Sequence, residues 1–418
     1  MKIKYVFALI LFGCLVPTIS AQKSASITRR PTRHHAMTRR APSAEIRSHL
    51  TNASQPKYWE LGTFPGGSWA TLGNINDFGV AVGMGDVPPL GPDGVGATHL
   101  LAVNVLGPRS GEWTDLGSLG GINYGWEEPL AEISNTGIVV GHSPTTSGYV
   151  HGALWTEKSG MVDLGTLADI GYSAYNSSYA GSINKLGTII VGWSGVEQSC
   201  LLCAPTIPVA WTRSVTRKNG VLTSKWKIHA LDTTGFDQMT YWYAWNVNDF
   251  GQIVGEGSNA AGDFVGAVWT PTHGGWKLTK LPVAEGLPVS EPFNINDRGE
   301  IAGNIEPSDA SVWLPAYWKP LNLLRTTYSP PIVLGIPDGF SSGYADGINE
   351  IGDMTGELWG EAGDEAFRWI TKKPAFAELI GFGDWSWSFG VNNARVAVVT
   401  YGGLNCAAGS CGGAVQIH

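Results

Sequence analysis

Aromatic rings set beside carboxylates are the residues of this chain best suited to chemistry. Trp126 precedes Glu127 and Glu128, and Trp69, Tyr179, Trp242, Tyr243, Tyr344, Trp385 and Trp387 fall at comparable points of a recurring pattern. A flat ring stacks on the apolar face of a sugar while a carboxylate bonds its hydroxyls, so the set points to carbohydrate. Cleaving a glycosidic bond requires two carboxyls on opposite sides of it. Adjacent residues of a strand face opposite ways, so Glu127 and Glu128 cannot form that pair alone. A partner would have to come from elsewhere in the fold, with Glu291 the candidate. Trp and Tyr also bury large areas, and packing between sheets accounts for the same rings.

Other chemical signals are weaker. Gly339-Phe340-Ser341-Ser342-Gly343 matches a nucleophile elbow, but a strand follows it rather than a helix, so Ser341 reads as a turn residue. The chain has no H-E-x-x-H, phosphate-binding loop, EF-hand loop or dinucleotide glycine fingerprint. His99, His142, His151, His229 and His273 lack ligand spacing, so neither metal nor cofactor is expected. Cys200 and Cys203 form one close pair, Cys406 and Cys411 another. In an oxidising compartment two local disulfides are the expectation. Shared zinc would need pairs some 200 residues apart to meet, and redox use of Cys200 and Cys203 lacks a following helix.

The ends of the chain bear on where it works. Met1 to Lys4 is charged, and Tyr5 to Val16 is apolar but too short to span a bilayer. Residues 1–21 therefore read as a signal peptide, with the protein secreted or periplasmic. Acylation at Cys14, as in an outer-membrane lipoprotein, is the alternative. Residues 22–57 read as a disordered basic linker. Residues 1–57 carry ten Lys/Arg and one acid, a net +9, whereas 58–418 carry 17 Lys/Arg and 34 Asp/Glu, a net −17. The acidic body argues against nucleic acid. The basic segment suits anionic envelope polymers or lipids, or a plain solvated tether.

What must position these residues is a repeat. An apolar residue, Asn or Ser, a turn and usually Gly recur at Asn76, Ser134, Asn184, Asn248, Asn296, Asn349 and Asn392, spaced 58, 50, 64, 48, 53 and 43 residues apart. Each period also holds an Ala-aromatic strand, such as Ala153-Leu154-Trp155 or Ala267-Val268-Trp269, and a strand ending near Asp-Leu-Gly. With one further run before each turn, the unit has four short strands. Gly83, Gly141, Gly192, Gly255, Gly303 and Gly356 lie inside strand patterns, where Gly implies close approach by another group. The recurrent Trp of a neighbouring strand is the expected group.

Seven such units predict an all-β, seven-bladed β-propeller over 58–418, built of four-stranded antiparallel blades. The last unit stops at its third strand, and Tyr58-Trp59-Glu60-Leu61-Gly62 supplies an unattached fourth. The N-terminal strand should therefore complete the last blade and spare both edges.

The phrases Asp115-Leu116-Gly117-Ser118-Leu119-Gly120-Gly121, Asp163-Leu164-Gly165-Thr166-Leu167 and His151-Gly152-Ala153-Leu154-Trp155, with the Ile-Asn-Asp-x-Gly turns, resemble the HAF-family bacterial extracellular repeat. The similarity covers nearly all of 58–418. The literal His-Ala-Phe is absent; His151-Gly152-Ala153 and Glu365-Ala366-Phe367 are its nearest relatives. The resemblance implies an exported bacterial repeat protein and carries no settled activity.

In such a ring the variable loops share one rim. That rim should carry both cysteine pairs, Asp86, Asp93, Glu256, Asp263, Asp364 and Glu365, and the aromatic starts of the inner strands. The leading reading is an exported binding or surface-interaction propeller, acting as a monomer, with carbohydrate the favoured ligand. A glycan-cleaving hydrolase or lyase and a structural envelope protein bound to a protein partner are the alternatives.

Overall fold

The computed structural model describes residues 57–417 apart from position 90 and segments 92–95, 122–130, 197–204, 219–220, 237, 260–263 and 404–405. The signal peptide and all but the last residue of the expected linker fall outside it, as do Trp126, Glu127, Glu128, Asp93, Asp263, Cys200 and Cys203.

Seven four-stranded antiparallel sheets follow one another, six of them built from consecutive strands. We number the blades from residues 70–117 (blade 1) through 132–163, 177–230, 241–280, 289–333 and 342–379 to blade 7, 385–416. Blade 7 takes its outer strand from Lys57–Gly62, which pairs antiparallel with Cys406–Gln416: Lys57 faces Gln416 and Trp59 faces Ala414. The expected closure is therefore present, and Lys57 already belongs to the strand. Within each blade the first strand lines the central channel and the fourth lies outside. Among the described residues one 3-10 turn, Leu167–Ile170, is the sole helical piece.

The repeated phrases are joints of this ring. Each turn Asn folds back on its own backbone; Asn76 Oδ1, for example, accepts from Phe78 and Val80 N–H. The Gly three positions after it is left-handed, as at Gly79 (φ 80°) and Gly352 (φ 88°), and Arg395 adopts the same conformation in the seventh copy (φ 59°). Except at Asn184, which donates to Thr188 of its own turn, the Asn side-chain amide then crosses to the next blade. Asn248 donates to Asn296 O (3.0 Å), Asn296 to Asn349 O (3.0 Å) and Asn349 to Asn392 O (2.9 Å). The third-strand Trp residues join blades further out. Trp211 Nε1 donates to Leu164 O (2.9 Å), Trp269 to Asp232 O (2.8 Å), Trp318 to Pro282 O (2.9 Å) and Trp369 to Gly335 O (2.7 Å). Each bond reaches the end of the previous blade's fourth strand, where the Asp-Leu-Gly phrase lies. That phrase also pairs with the His of the third strand: His99 Nδ1 lies 2.8 Å from Asp115 and His151 Nδ1 2.8 Å from Asp163.

The strand glycines have a different cause from the one expected. Inner strands of blades 1, 3, 4, 5 and 6 each carry a one-residue irregularity two to three positions before the turn Asn, as between Ala180 and Ser182 or Ala244 and Asn246. The bulge swings a carbonyl over the second strand. A Cβ on Gly83 would lie 1.8 Å from Thr71 O, on Gly192 1.8 Å from Tyr179 O, and on Gly356 1.9 Å from Tyr344 O. A backbone carbonyl of the same blade, not a neighbouring Trp, excludes a side chain.

Candidate functional site

Strand direction assigns the two mouths of the channel. First strands start, and second strands end, at the face bearing the variable loops, the rim. The Asn turns and the connections from third to fourth strands occupy the opposite face, the turn face.

At the rim mouth the aromatic residues form a continuous belt from blade 2 to blade 6. His142 packs on Tyr179, which stacks on Trp193 with ring centroids 5.2 Å apart. Trp193 meets Tyr243 and Trp245 edge-on, Trp245 meets Phe293, and Phe293 meets Tyr344. Tyr344 contacts Trp359, which contacts Trp313. In blade 7 Trp385 stacks on Trp387 at 4.6 Å. Tyr179, Tyr241, Trp313 and Trp359 keep part of their surface open. All four lie near strand ends at the rim.

The structure separates the rings read from the sequence. Tyr179, Tyr243 and Tyr344 join the belt. Trp242 points the other way along its strand, against Trp269 and Phe236, and Trp69 packs in the core between blades 1 and 2. Trp69, Trp242, Tyr243, Tyr344, Trp385 and Trp387 are all buried. Trp193, Trp245, Phe293, Trp313 and Trp359 are the members that sequence reading missed. Trp193 and Trp359 lie on second strands, where only the cross-strand register reveals that they neighbour the inner strand.

Carboxylates accompany the belt. Glu256, Glu291, Glu306 and Glu357 are buried at the same level, and Asn304 donates to Glu291 (3.0 Å) and Glu306 (3.3 Å). The Asn304 carbonyl oxygen is buried and has no hydrogen-bond partner among the described residues. Asp86 instead holds its own loop: its carboxylate accepts from Ser68 and Trp69 N–H, from Ser68 Oγ and from Gly96 N–H. Burial pushes its pKa up, but these bonds together hold it below the usual carboxylate value. Glu365, wholly buried, accepts from Ser386 Oγ (2.6 Å). Cys406 and Cys411 form a disulfide at the rim, with Cα atoms 5.9 Å apart.

The turn-face mouth is a ring of polar side chains. Asp77 N–H donates to Asn135, Leu186 to Asp249, Asp249 to Asp297, Asp297 to Glu350, Glu350 to Asn393, and Asn393 to Asp77. Lys185 reaches across the mouth to Glu350 (3.2 Å) and Asp77 (3.9 Å). Burial raises the pKa of Asp249, and the charge of Asp297 adds to that effect. Behind this ring lies a cavity of about 40 Å³, room for roughly three waters. Glu132 borders it, bonded by Asn74 (2.8 Å) and Asn246 (3.2 Å). Burial pushes the Glu132 carboxyl up to about 7, despite the charge of Lys185 and the Asn246 hydrogen bond. Among the described residues no group of three or more His, Cys, Asp or Glu is arranged to hold a metal. No helix among them is long and apolar enough to cross a membrane.

No family model and no curated protein matches the chain. Among solved structures, Trypanosoma rangeli sialidase aligns at 12% identity and TM-score 0.41, over 87% of this chain and 60% of its own. Hadza microbial sialidase Hz136 aligns at 11% and 0.40, over 79% and 74%. Aleuria aurantia lectin, in complex with alpha-methyl-L-fucoside, aligns at 10% and 0.38, over 76% and 95%. The chain spans between 52% and 60% of the length of the trypanosomal sialidases named first. Likeness of this degree does not bear on what this chain binds.

Proposed function

We propose that this chain is an exported bacterial binding propeller of the HAF-like kind, and that its rim mouth takes a carbohydrate. The observation that carries the reading is the belt of rings from His142 to Trp359, with carboxylates at the same level and four rings open toward the rim. Ring faces supply the stacking surface that a sugar needs, and Glu291 and Glu357 supply acceptors for its hydroxyls. The disulfide at the rim fits an oxidising compartment and so export.

The test is a glycan array probed with residues 22–418, alongside a Tyr179→Ala/Trp359→Ala variant. Both substituted rings are partly open, so the fold should survive, as thermal melting would verify. Binding by the wild type and its loss in the folded variant support the reading. Absence of binding to any glycan, or equal binding by the variant, removes it.

A further inference from the structure

The turn face is unlike the rest of the surface. Seven large apolar residues are more than half exposed among the described residues, and all seven lie there. Phe78 (70%), Leu186 (57%) and Phe250 (59%) stand at the same position of three Asn turns, two residues after the Asn, so they project around the channel mouth in one direction. Leu321, Leu323 and Leu324 belong to the blade 5 connection 319–331, and Leu323 is 99% exposed. Two contacts fold that connection beside the blade 4 turn. Gln252 donates to Arg325 O (2.9 Å), and the Arg325 guanidinium lies 4.1 Å over the Phe250 ring. Val215 marks the seventh site, near the end of the blade 3 hairpin.

Charge follows the same division. Exposed Arg109, Lys158, Arg217, Lys319, Lys372 and Lys373 sit at the connections between third and fourth strands, against exposed Glu112 and Glu157. The rim instead exposes Asp309, Asp338, Glu361 and Asp384. A body of net charge −17 therefore turns much of its positive charge to one side. Lys57 begins the outer strand of blade 7 at this face, so residues 22–56, with seven Lys/Arg and one acid, join the ring there.

We infer that the turn face docks on an anionic lipid bilayer, with Phe78, Leu186, Phe250 and Leu323 entering the interface and the surrounding cations meeting the headgroups. Apolar tips framed by Lys and Arg are the chemistry of an interfacial anchor. Each cation held near an anionic leaflet adds electrostatic attraction, which salt weakens. A soluble anionic polymer would answer the charge but leave the leucines in water. A second copy placed face to face would set two basic borders against each other. The four carboxylates of the axial mouth, Asp77, Asp249, Asp297 and Glu350, are each tied to a backbone N–H of a neighbouring turn, and Lys185 offsets Glu350 and Asp77. This inference concerns the face opposite the sugar site and does not rest on it.

The experiment is flotation of residues 22–418 with phosphatidylcholine vesicles, with and without phosphatidylglycerol. Residues 1–21 are left out because their apolar run would bind lipid unaided. We expect flotation with the phosphatidylglycerol vesicles, weakened by salt. Phe78→Ser/Phe250→Ser/Leu323→Ser/Leu324→Ser, with an unchanged melting temperature, should reduce partitioning about tenfold or more. Lys319→Glu/Lys372→Glu/Lys373→Glu should weaken it on the anionic vesicles. No flotation of the wild type overturns the inference, as does undiminished flotation of the quadruple variant. Retention on dextran sulfate without flotation also overturns it, in favour of a polymer site.

Discussion

The Asn392 side-chain amide donates to the Asn76 carbonyl oxygen at 2.9 Å, across 316 positions of sequence. It is the bond that passes between successive turns elsewhere in the ring, here made between the last blade and the first. Asn392 is buried, and its Oδ1 also accepts from Val396 N–H. Asn392→Ala leaves the Asn76 carbonyl without that donor and undoes the local turn, which should cost roughly 1–3 kcal/mol. Urea unfolding reads this directly. A loss under about 0.5 kcal/mol would mean that the amide ring is incidental.

Closure through the outer strand makes a second demand. Trp113 Nε1 donates to Leu61 O (3.0 Å), so the N-terminal strand holds blade 1 as well as blade 7. Removing residues 57–64 should lower the melting temperature of the whole ring in one transition, because it exposes the edge of blade 7 and frees Trp113. An unchanged melting temperature is incompatible with closure by this strand.

The bulge carbonyls separate one class of glycine from another. Gly192→Ala would set Cβ at 1.8 Å from Tyr179 O, whereas Gly274 faces open space and lacks a positive φ. The first substitution should destabilise by several kcal/mol and the second by about zero, with a slight gain from the stiffer unfolded chain. Equal effects in chemical denaturation would refute the bulge as the reason for Gly192.

Glu132 predicts the direction of a pH dependence. Its folded-state pKa is about 7, above the ordinary value of 4.5. Between those values the unfolded chain has released a proton that the native state retains, so stability falls as pH rises through this window. The full effect is at most about 3 kcal/mol, less to the degree that cavity water screens the charge. His151, raised chiefly by its hydrogen bond with Asp163, acts in the same sense: its stabilisation is present below 6.5 and lost as pH rises through the folded value. Glu132→Gln should flatten most of the decline between about pH 5 and 8 and be the more stable form at pH 8. A wild-type profile that rises across this range would exclude the assignment.

The indole bonds between blades are testable without emptying the core. Trp269→Phe keeps an aromatic side chain but loses the donor to Asp232 O, a bond of 2.8 Å to a group with few alternatives. A cost of about 1–3 kcal/mol is expected, from the lost bond and the volume difference. A loss no larger than that of an exposed substitution such as Phe376→Leu would reduce these bonds to by-products of packing.

The blade count, strand order and closure were legible because one turn phrase repeats and its residues act locally, Asn in the fold-back and Gly at positive φ. The cause of the strand glycines was not, because a bulge is a mismatch between two strands and leaves no mark on either alone. The site was legible by halves for the same reason. Tyr179, Tyr243 and Tyr344 occupy one register of the inner strands and could be picked out by position. Trp193 and Trp359 needed the pairing of first with second strands, and Trp242 shows how a shift of one residue turns an expected site ring into the core. The blade 5 outer strand shrinks to Ile332–Val333 because Pro320, Pro330 and Pro331 interrupt the connection before it.

Lys57 pairs with Gln416, so both ends of the ring leave from adjacent strands on the same face. Tension applied between those two residues would act across the strand pair rather than along it. The ladder would then unzip pair by pair from Lys57 toward Gly62, at low force, before any inner blade is loaded. A ring so closed resists heat and denaturant as a unit yet opens easily when its two ends are drawn apart. Tethering both ends to a single surface would protect it.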